Sequence, residues 1–263
     1  MAVRVQLTSA EVEFDDPGAG TPILLLHGFP ATRYLWSQVA PALVAQGYRA
    51  VAPDLVGYGA SSAEPGVRVD MASQARWMWQ LLDRLEIERP FIVAHDVGSA
   101  AAQLMVTGSP ERVRGLVILD GVYETHWAME AIESIRAWNG ADAARLFPVL
   151  ARRLGKSAHL RTMLEAYAGE AGGGRLIRAA RDLDPSQTAS IRGKLRASQV
   201  RSLVLWGRDD RYLDIDAVAR PLAELLSAPL EILPGGHFTP SDCPREVSEA
   251  ICEFLKTAGV RDA

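Results

Sequence analysis

An aspartate sits at a corner in "FIVAHDVGSAAAQL" (residues 91–104). The apolar run before it reads as a buried strand, and the small residues after it read as the start of a helix. Ala94-His95-Asp96-Val97-Gly98 thus has the pattern small-x-nucleophile-x-small across a strand-to-helix turn. Such a turn is sharp enough to need small flanking residues. It displays its central side chain above the strand end in strained backbone geometry. The N–H groups and dipole of the following helix favour negative charge there. A serine in that place must lose a proton before it attacks. A carboxylate with a pKa of about 4 is already ionised at neutral pH. Asp96 is therefore suited to displace a leaving group from a saturated carbon and form an ester.

An ester needs a second step, in which a base takes a proton from water. His237 follows Gly235-Gly236 in a loop after the last strand-like run, a place that suits such a base. Two adjacent acids, Asp209 and Asp210, follow "SLVLWG", and Asp120 ends "GLVILD". All these side chains fall at the C-terminal ends of strand-like runs, where open α/β sheets bind their ligands.

Several stretches, in their order and spacing, resemble the α/β-hydrolase superfamily. They are "HGFP" (27–30), "DLVGYGASS" (54–62), "AHDVGS" (94–99), "LWGRDD" (205–210) and "GGHFTPSDCPREV" (235–247). With aspartate at the corner, the resemblance is to the branch that holds epoxide hydrolases and haloalkane or haloacid dehalogenases. It covers nearly the whole chain and implies a catalytic triad of Asp96 as nucleophile, His237 as base and an acid that orients the imidazole. The Gly-x-x-Asp spacing favours Asp210 over Asp209 as that acid. Asp120 is the alternative, because some members of the branch place their acid after that strand. The backbone N–H groups of Phe29 and Val97 occupy the family's oxyanion-hole positions.

The leaving group separates the two reactions of the branch. An epoxide becomes an alkoxide and needs an acidic O–H donor, for which Tyr167 and then Tyr123 are the candidates. A halide needs only weak donors, for which His126, Trp127 and Trp138 are the candidates. Many relatives carry tryptophan directly after the nucleophile; Val97 stands there instead and weighs against a dehalogenase. "VGSAAAQ" has no arginine to hold the carboxylate of a short haloacid. The expected reaction is the opening of an epoxide to a diol, on a small apolar organic substrate with water. The alternatives are haloalkane dehalogenation, an esterase-like activity, and a non-catalytic binding member of the fold.

Elements that could position these groups alternate along the chain. "VRVQLTS" and "EVEF" suggest a leading hairpin. "PILLLHG", "RAVAPDL", "FIVAH", "GLVILDG", "SLVLWG" and "LEILPG" read as strands, separated by amphipathic helical stretches. This alternation predicts an α/β fold, mostly a parallel sheet with helices on both faces. Residues 122–198 interrupt it with helical patterns and no convincing strand, so an inserted helical cap is expected there, with the core formed by 1–121 and 199–263. Within the cap, "GEAGGGR" reads as a flexible turn, and without a following Lys-Ser/Thr it is no phosphate loop. "ARRLGKSAHLR" reads as a solvated helix face, with His159 exposed on it. His27 is expected to shape the oxyanion loop, and His95 to be packed and to point away from the nucleophile.

Composition narrows the classes. The 263 residues are 48% hydrophobic, enough for one α/β domain with an insertion. A net charge of −4 with interspersed signs argues against nucleic acid or membrane as the main partner. No signal peptide and no membrane span is read. Cys243 and Cys252 suggest two reduced thiols and a cytoplasmic home. No histidine pair has metal-ligand spacing and no nucleotide or flavin motif is present, so no cofactor is expected. The oligomeric state is left open, a homo-oligomer included.

Overall fold

Continuous apolar runs become the middle of the sheet. The structure, a computed structural model, describes residues 2–259. The hairpin β1 (Val3–Leu7) and β2 (Ala10–Asp15) is antiparallel, with Leu7 opposite Ala10. β3 (Thr21–Leu26), β4 (Tyr48–Pro53) and the two-residue β5 (Ser62–Ala63) follow. β6 (Phe91–His95), β7 (Gly115–Leu119), β8 (Ser202–Gly207) and β9 (Leu230–Leu233) complete the sheet. Its order is β1-β2-β4-β3-β6-β7-β8-β9, with β5 on β2. From β4 to β9 every pairing is parallel.

Every residue of β6, β7 and β8 is buried, as expected for strands covered by helices on both faces. Full burial of a Leu or Ile side chain contributes roughly 1.5–3 kcal/mol, so runs such as Leu24-Leu25-Leu26 dominate the stability of the sheet. The helix Met71–Arg84 shows how the flanking layer is written. Asp70 caps it by accepting from the Ser73 N–H at 2.9 Å, and Met71, Ala75, Met78 and Leu82 form its buried stripe. It packs on the helix Gly98–Gly108 that leaves the Asp96 corner.

Between β3 and β6 the strand order reverses direction: the chain goes from β3 outward to β4 on one side and resumes on the other at β6. The C-terminal ends of these two strands carry His27-Gly28-Phe29 and Asp96, so the crevice at this switch point falls on the predicted corner.

Between β7 and β8 the chain is helical, apart from an isolated bridge between Tyr123 and His126. One sequence expectation fails there. "GEAGGGR" is not a turn but the first half of the helix Gly169–Asp182. Its glycines serve close packing. A Cβ at Gly173 would lie 2.0 Å from the backbone oxygen of Ala143, so the helix can lie against the start of the helix Ala143–Leu154 only where a side chain is missing. The helix entropy lost with glycine, about 1 kcal/mol per residue, is offset by that contact. His159 also departs from expectation. It is half-buried, its Nδ1 lying 2.9 Å from Ser241 Oγ and its Nε2 3.0 Å from Ser37 Oγ. No helix among the described residues is long and apolar enough to cross a membrane.

Candidate active site

Asp96 has φ +48°, a left-handed conformation that costs a non-glycine residue about 1–3 kcal/mol and marks a position held by its surroundings. What holds it is close approach on both sides. A Cβ at Gly98 would meet the His27 backbone oxygen at 2.3 Å, which is why the corner needs a glycine two residues after the aspartate. The carboxylate is then displayed at the tip, 4% exposed.

Its two oxygens have different environments. Oδ2 accepts the backbone N–H of Phe29 at 2.7 Å, and the nearby Val97 N–H also favours the charged carboxylate. Oδ1 lies 3.8 Å from His237 Nε2, too far for a hydrogen bond. Burial raises the Asp96 pKa, opposed by the His237 charge and the two N–H groups. On the other side of the imidazole, His237 Nδ1 is 2.9 Å from Asp210 Oδ2. The second Asp210 oxygen accepts the N–H groups of Tyr212, at 2.8 Å, and Leu213, which ties the acid to its own loop. Burial works against a charged His237. The hydrogen bond to Asp210, and the charges of Asp210, Asp96 and Asp120, outweigh it and push the pKa up to about 9.

Asp120, the alternative acid, points elsewhere. Its Oδ1 accepts the Gly207 N–H at 2.7 Å and its Oδ2 the Thr239 hydroxyl at 2.5 Å. Fully buried, it has its pKa pushed up to about 8, with burial the main cause. It braces the loops that carry Asp210 and His237 and has no hydrogen bond to the imidazole. Asp209 does not touch the imidazole either; its backbone N–H donates to the Gly235 oxygen at 2.8 Å. His95 does face away from the nucleophile, but it is more than packing. Its Nε2 lies 2.7 Å from the His237 backbone oxygen, so a neutral ring donating there secures the base. His27 does what its place suggested, bridging Gly28 O and the Leu55 N–H at 2.9 Å each.

Over Asp96 lies a cavity of about 110 Å³. That is room for roughly a benzene-sized group. Phe29, Ile132, Ile135, Leu150 and Phe238 are among its apolar walls. The polar groups on it are Asp96, His237, Tyr212 and Arg153. None of the five predicted leaving-group contacts lines it. Tyr167 is fully buried and donates its hydroxyl to Ala31 O at 2.6 Å, tying the segment between β7 and β8 to the loop after β3. Trp127 gives its indole N–H to Glu124 O and Thr188 Oγ1. Tyr123 and His126 stack on each other in a turn outside the cavity, and Trp138 packs on the apolar core. These corrections share a cause: an aromatic residue on a cap helix is an efficient packing group, and sequence does not show which helix face meets the nucleophile.

Tyr212, absent from the sequence expectations, does line the cavity. Its ring stands edge-on to His237, with centroids 5.2 Å apart. Burial and the Asp210 charge raise its pKa, so the phenol keeps its proton. The missed signal was its position, two residues after Asp210 in a loop that must return to the imidazole. No group of histidine, cysteine or acidic side chains among the described residues is arranged to hold a metal ion.

Residues 21–159 match the α/β-hydrolase fold family. Epoxide hydrolase 2 of Siraitia grosvenorii is 36% identical over 127 residues, spanning 48% of this chain and 40% of that protein. The 2-hydroxy-6-oxononadienedioate/2-hydroxy-6-oxononatrienedioate hydrolase of Cupriavidus pinatubonensis is 27% identical over 285 residues, spanning 94% of this chain and 91% of that one. An ancestral haloalkane dehalogenase superposes with a TM-score of 0.83 at 21% identity, over 98% of this chain and 99% of its own. At that identity the likeness speaks for the fold.

Proposed function

The chain belongs to the α/β-hydrolase fold family, and from that premise we propose that it opens an epoxide to a diol through an ester on Asp96. The observation that carries this reading is the asymmetry of the carboxylate. Oδ2 accepts the Phe29 N–H at 2.7 Å, while Oδ1 faces His237 Nε2 at 3.8 Å. A nucleophilic Oδ1 with Oδ2 already on its donor is what a two-step ester mechanism needs.

In the first step an Oδ1 electron pair forms a bond to an epoxide carbon and the ring C–O bond breaks. The ring oxygen takes the electron pair and the Tyr212 hydroxyl proton. In the second step His237 takes a proton from water, whose oxygen adds to Cγ. Negative charge then develops on Oδ2, where the Phe29 N–H already donates. Collapse breaks the Cγ–Oδ1 bond, the leaving oxygen takes the proton held by His237 and departs as the second hydroxyl of the diol, and Asp96, now carrying the oxygen from water, loses its carboxyl proton to solvent. Tyr212 regains its proton from solvent.

This order is compatible with the raised His237 pKa, which Asp210 chiefly causes. In the free enzyme a protonated ring beside an ionised Asp96 is a charge pair. Esterification removes the carboxylate charge near Nε2, one of the causes that raise the pKa. The imidazolium then gives up its proton more readily, toward the neutral base the second step requires. Asp210 keeps the ring oriented throughout.

Epoxide is favoured over halide because the cavity's uncharged donor is an O–H, on Tyr212, and the Trp127 indole is occupied elsewhere. Residues 122–198 are assigned as a cap over a core of 1–121 and 199–263. The two free, buried thiols, Cys243 and Cys252, suit a reducing cytoplasm. The test is a side-by-side screen of short terminal epoxides and short haloalkanes, following diol and halide. Diol release is expected; halide release without diol would replace this reading with dehalogenation.

A further inference from the structure

Three of the four polar side chains on the cavity have work in the reaction above. Arg153 has none. It lies in the last turn of the helix Ala143–Leu154 and lines the cavity beside Tyr212 and His237. Arg145 on the same helix pairs with Asp142 at 3.7 Å, and Arg136 on the preceding cap helix with Glu133 at 3.0 Å. Arg153 has no such partner among the described residues, and its guanidinium is exposed.

Its surroundings carry both signs. A second hollow of about 290 Å³ shares Arg153, Tyr212 and His237 with the cavity. It adds the cations Lys156 and Arg211 and the acids Asp209 and Asp242. Asp242 is engaged, its Oδ2 accepting the Gly236 N–H at 2.9 Å. With Arg153 the hollow holds three cations to two acids, and one of those acids is held by a backbone N–H, a balance that tolerates an anion beside Arg153.

We propose that Arg153 determines specificity by binding a carboxylate at the end of the substrate remote from the reacting carbon, so that the preferred substrate is a short epoxy-carboxylic acid. A guanidinium presents paired N–H donors that match a carboxylate, and the apolar wall next to it accommodates the hydrocarbon between the two ends. A single arginine suits a monoanion better than a phosphate dianion. The arginine that "VGSAAAQ" lacks after the nucleophile is supplied here from the cap. The nature of the reacting end rests on the epoxide reading; the carboxylate contact does not.

Two measurements keep these apart. Calorimetric titration of hexanoate and of hexanamide into the wild-type protein, Arg153→Gln and Arg153→Lys needs no turnover. The wild type is expected to prefer hexanoate, with the preference falling about tenfold in Arg153→Gln, less in Arg153→Lys, and shrinking with salt. No preference in the wild type, or the same preference in Arg153→Gln, overturns the proposal. Steady-state kinetics on 5,6-epoxyhexanoate and 1,2-epoxyhexane should show the acid-over-neutral ratio of kcat/KM falling by the same factor, carried by KM. An unaltered ratio counts against Arg153. Absence of diol from both epoxides counts against the epoxide reading, and the titration still decides the arginine.

Discussion

Replacing Asp210 with Asn removes a charge and keeps a shape. The Oδ1 contacts to the Tyr212 and Leu213 N–H groups survive, because an amide oxygen accepts them as well. What is lost is the charged acceptor for His237 Nδ1, the largest cause raising that pKa. The rise from 6.5 to about 9 corresponds to about 3 kcal/mol of preference for the imidazolium. With Asp210 neutral, only the Asp96 and Asp120 charges oppose burial, so the His237 pKa should fall well below 9. The sign for stability follows. A group whose pKa rises on folding stabilises the fold fully below its unfolded value, 6.5, and loses that contribution as pH climbs through about 9. Asp210→Asn should flatten this dependence. Turnover should fall by about 10²–10⁴-fold, since the ring loses both its orientation and its support as it charges. NMR titration of the imidazole nitrogens, chemical melts between pH 6 and 9.5, and steady-state rates measure the three quantities. Asp120→Asn and Asp209→Asn are the controls. An unmoved His237 titration in Asp210→Asn, with the shift and the rate loss in Asp120→Asn instead, would refute the reasoning.

Tyr212→Phe should slow epoxide opening by about 10²–10⁴-fold with an unchanged melt, the range a general acid supplies; Tyr167→Phe should show the reverse, losing about 1 kcal/mol of stability with its bond to Ala31 O and keeping its rate. Gly173→Ala should lower the melting temperature strongly, because the new methyl group meets the Ala143 backbone and forces the two cap helices apart at a cost of about 1–3 kcal/mol; a melt equal to wild type would mean that the contact is not tight.

The core was legible because its physics is local in sequence. Strands buried on both faces must be continuous apolar runs, and "FIVAH" and "SLVLWG" become β6 and β8 with the bounds their composition suggests. The corner at Asp96 was legible because a sharp turn excludes large neighbours. Asp210 and His237 are 27 residues apart, and their meeting follows from adjacent parallel strands that end at the same edge. The helices between β7 and β8 resisted reading because their determinants are contacts between distant residues. Three glycines in a row weaken a helix taken alone, and only the approach of Ala143 makes "GEAGGGR" helical. Tyr167 and Trp127 have the chemistry of leaving-group contacts, yet Ala31 O and Thr188 Oγ1 claim their donors. Arg153 and Tyr212 lie 59 residues apart in sequence, and only the fold brings both to the cavity wall.

The central claim is a covalent ester on Asp96 that His237 is needed to resolve. Incubating His237→Gln with 1,2-epoxyhexane and with 5,6-epoxyhexanoate, then weighing the intact protein, tests it most directly. Ester formation adds the mass of one epoxide, and the account places that addition on Asp96 in the peptide containing residues 91–104, where it persists because no base activates water. An adduct on another residue, or diol formed by His237→Gln at the wild-type rate, would contradict it.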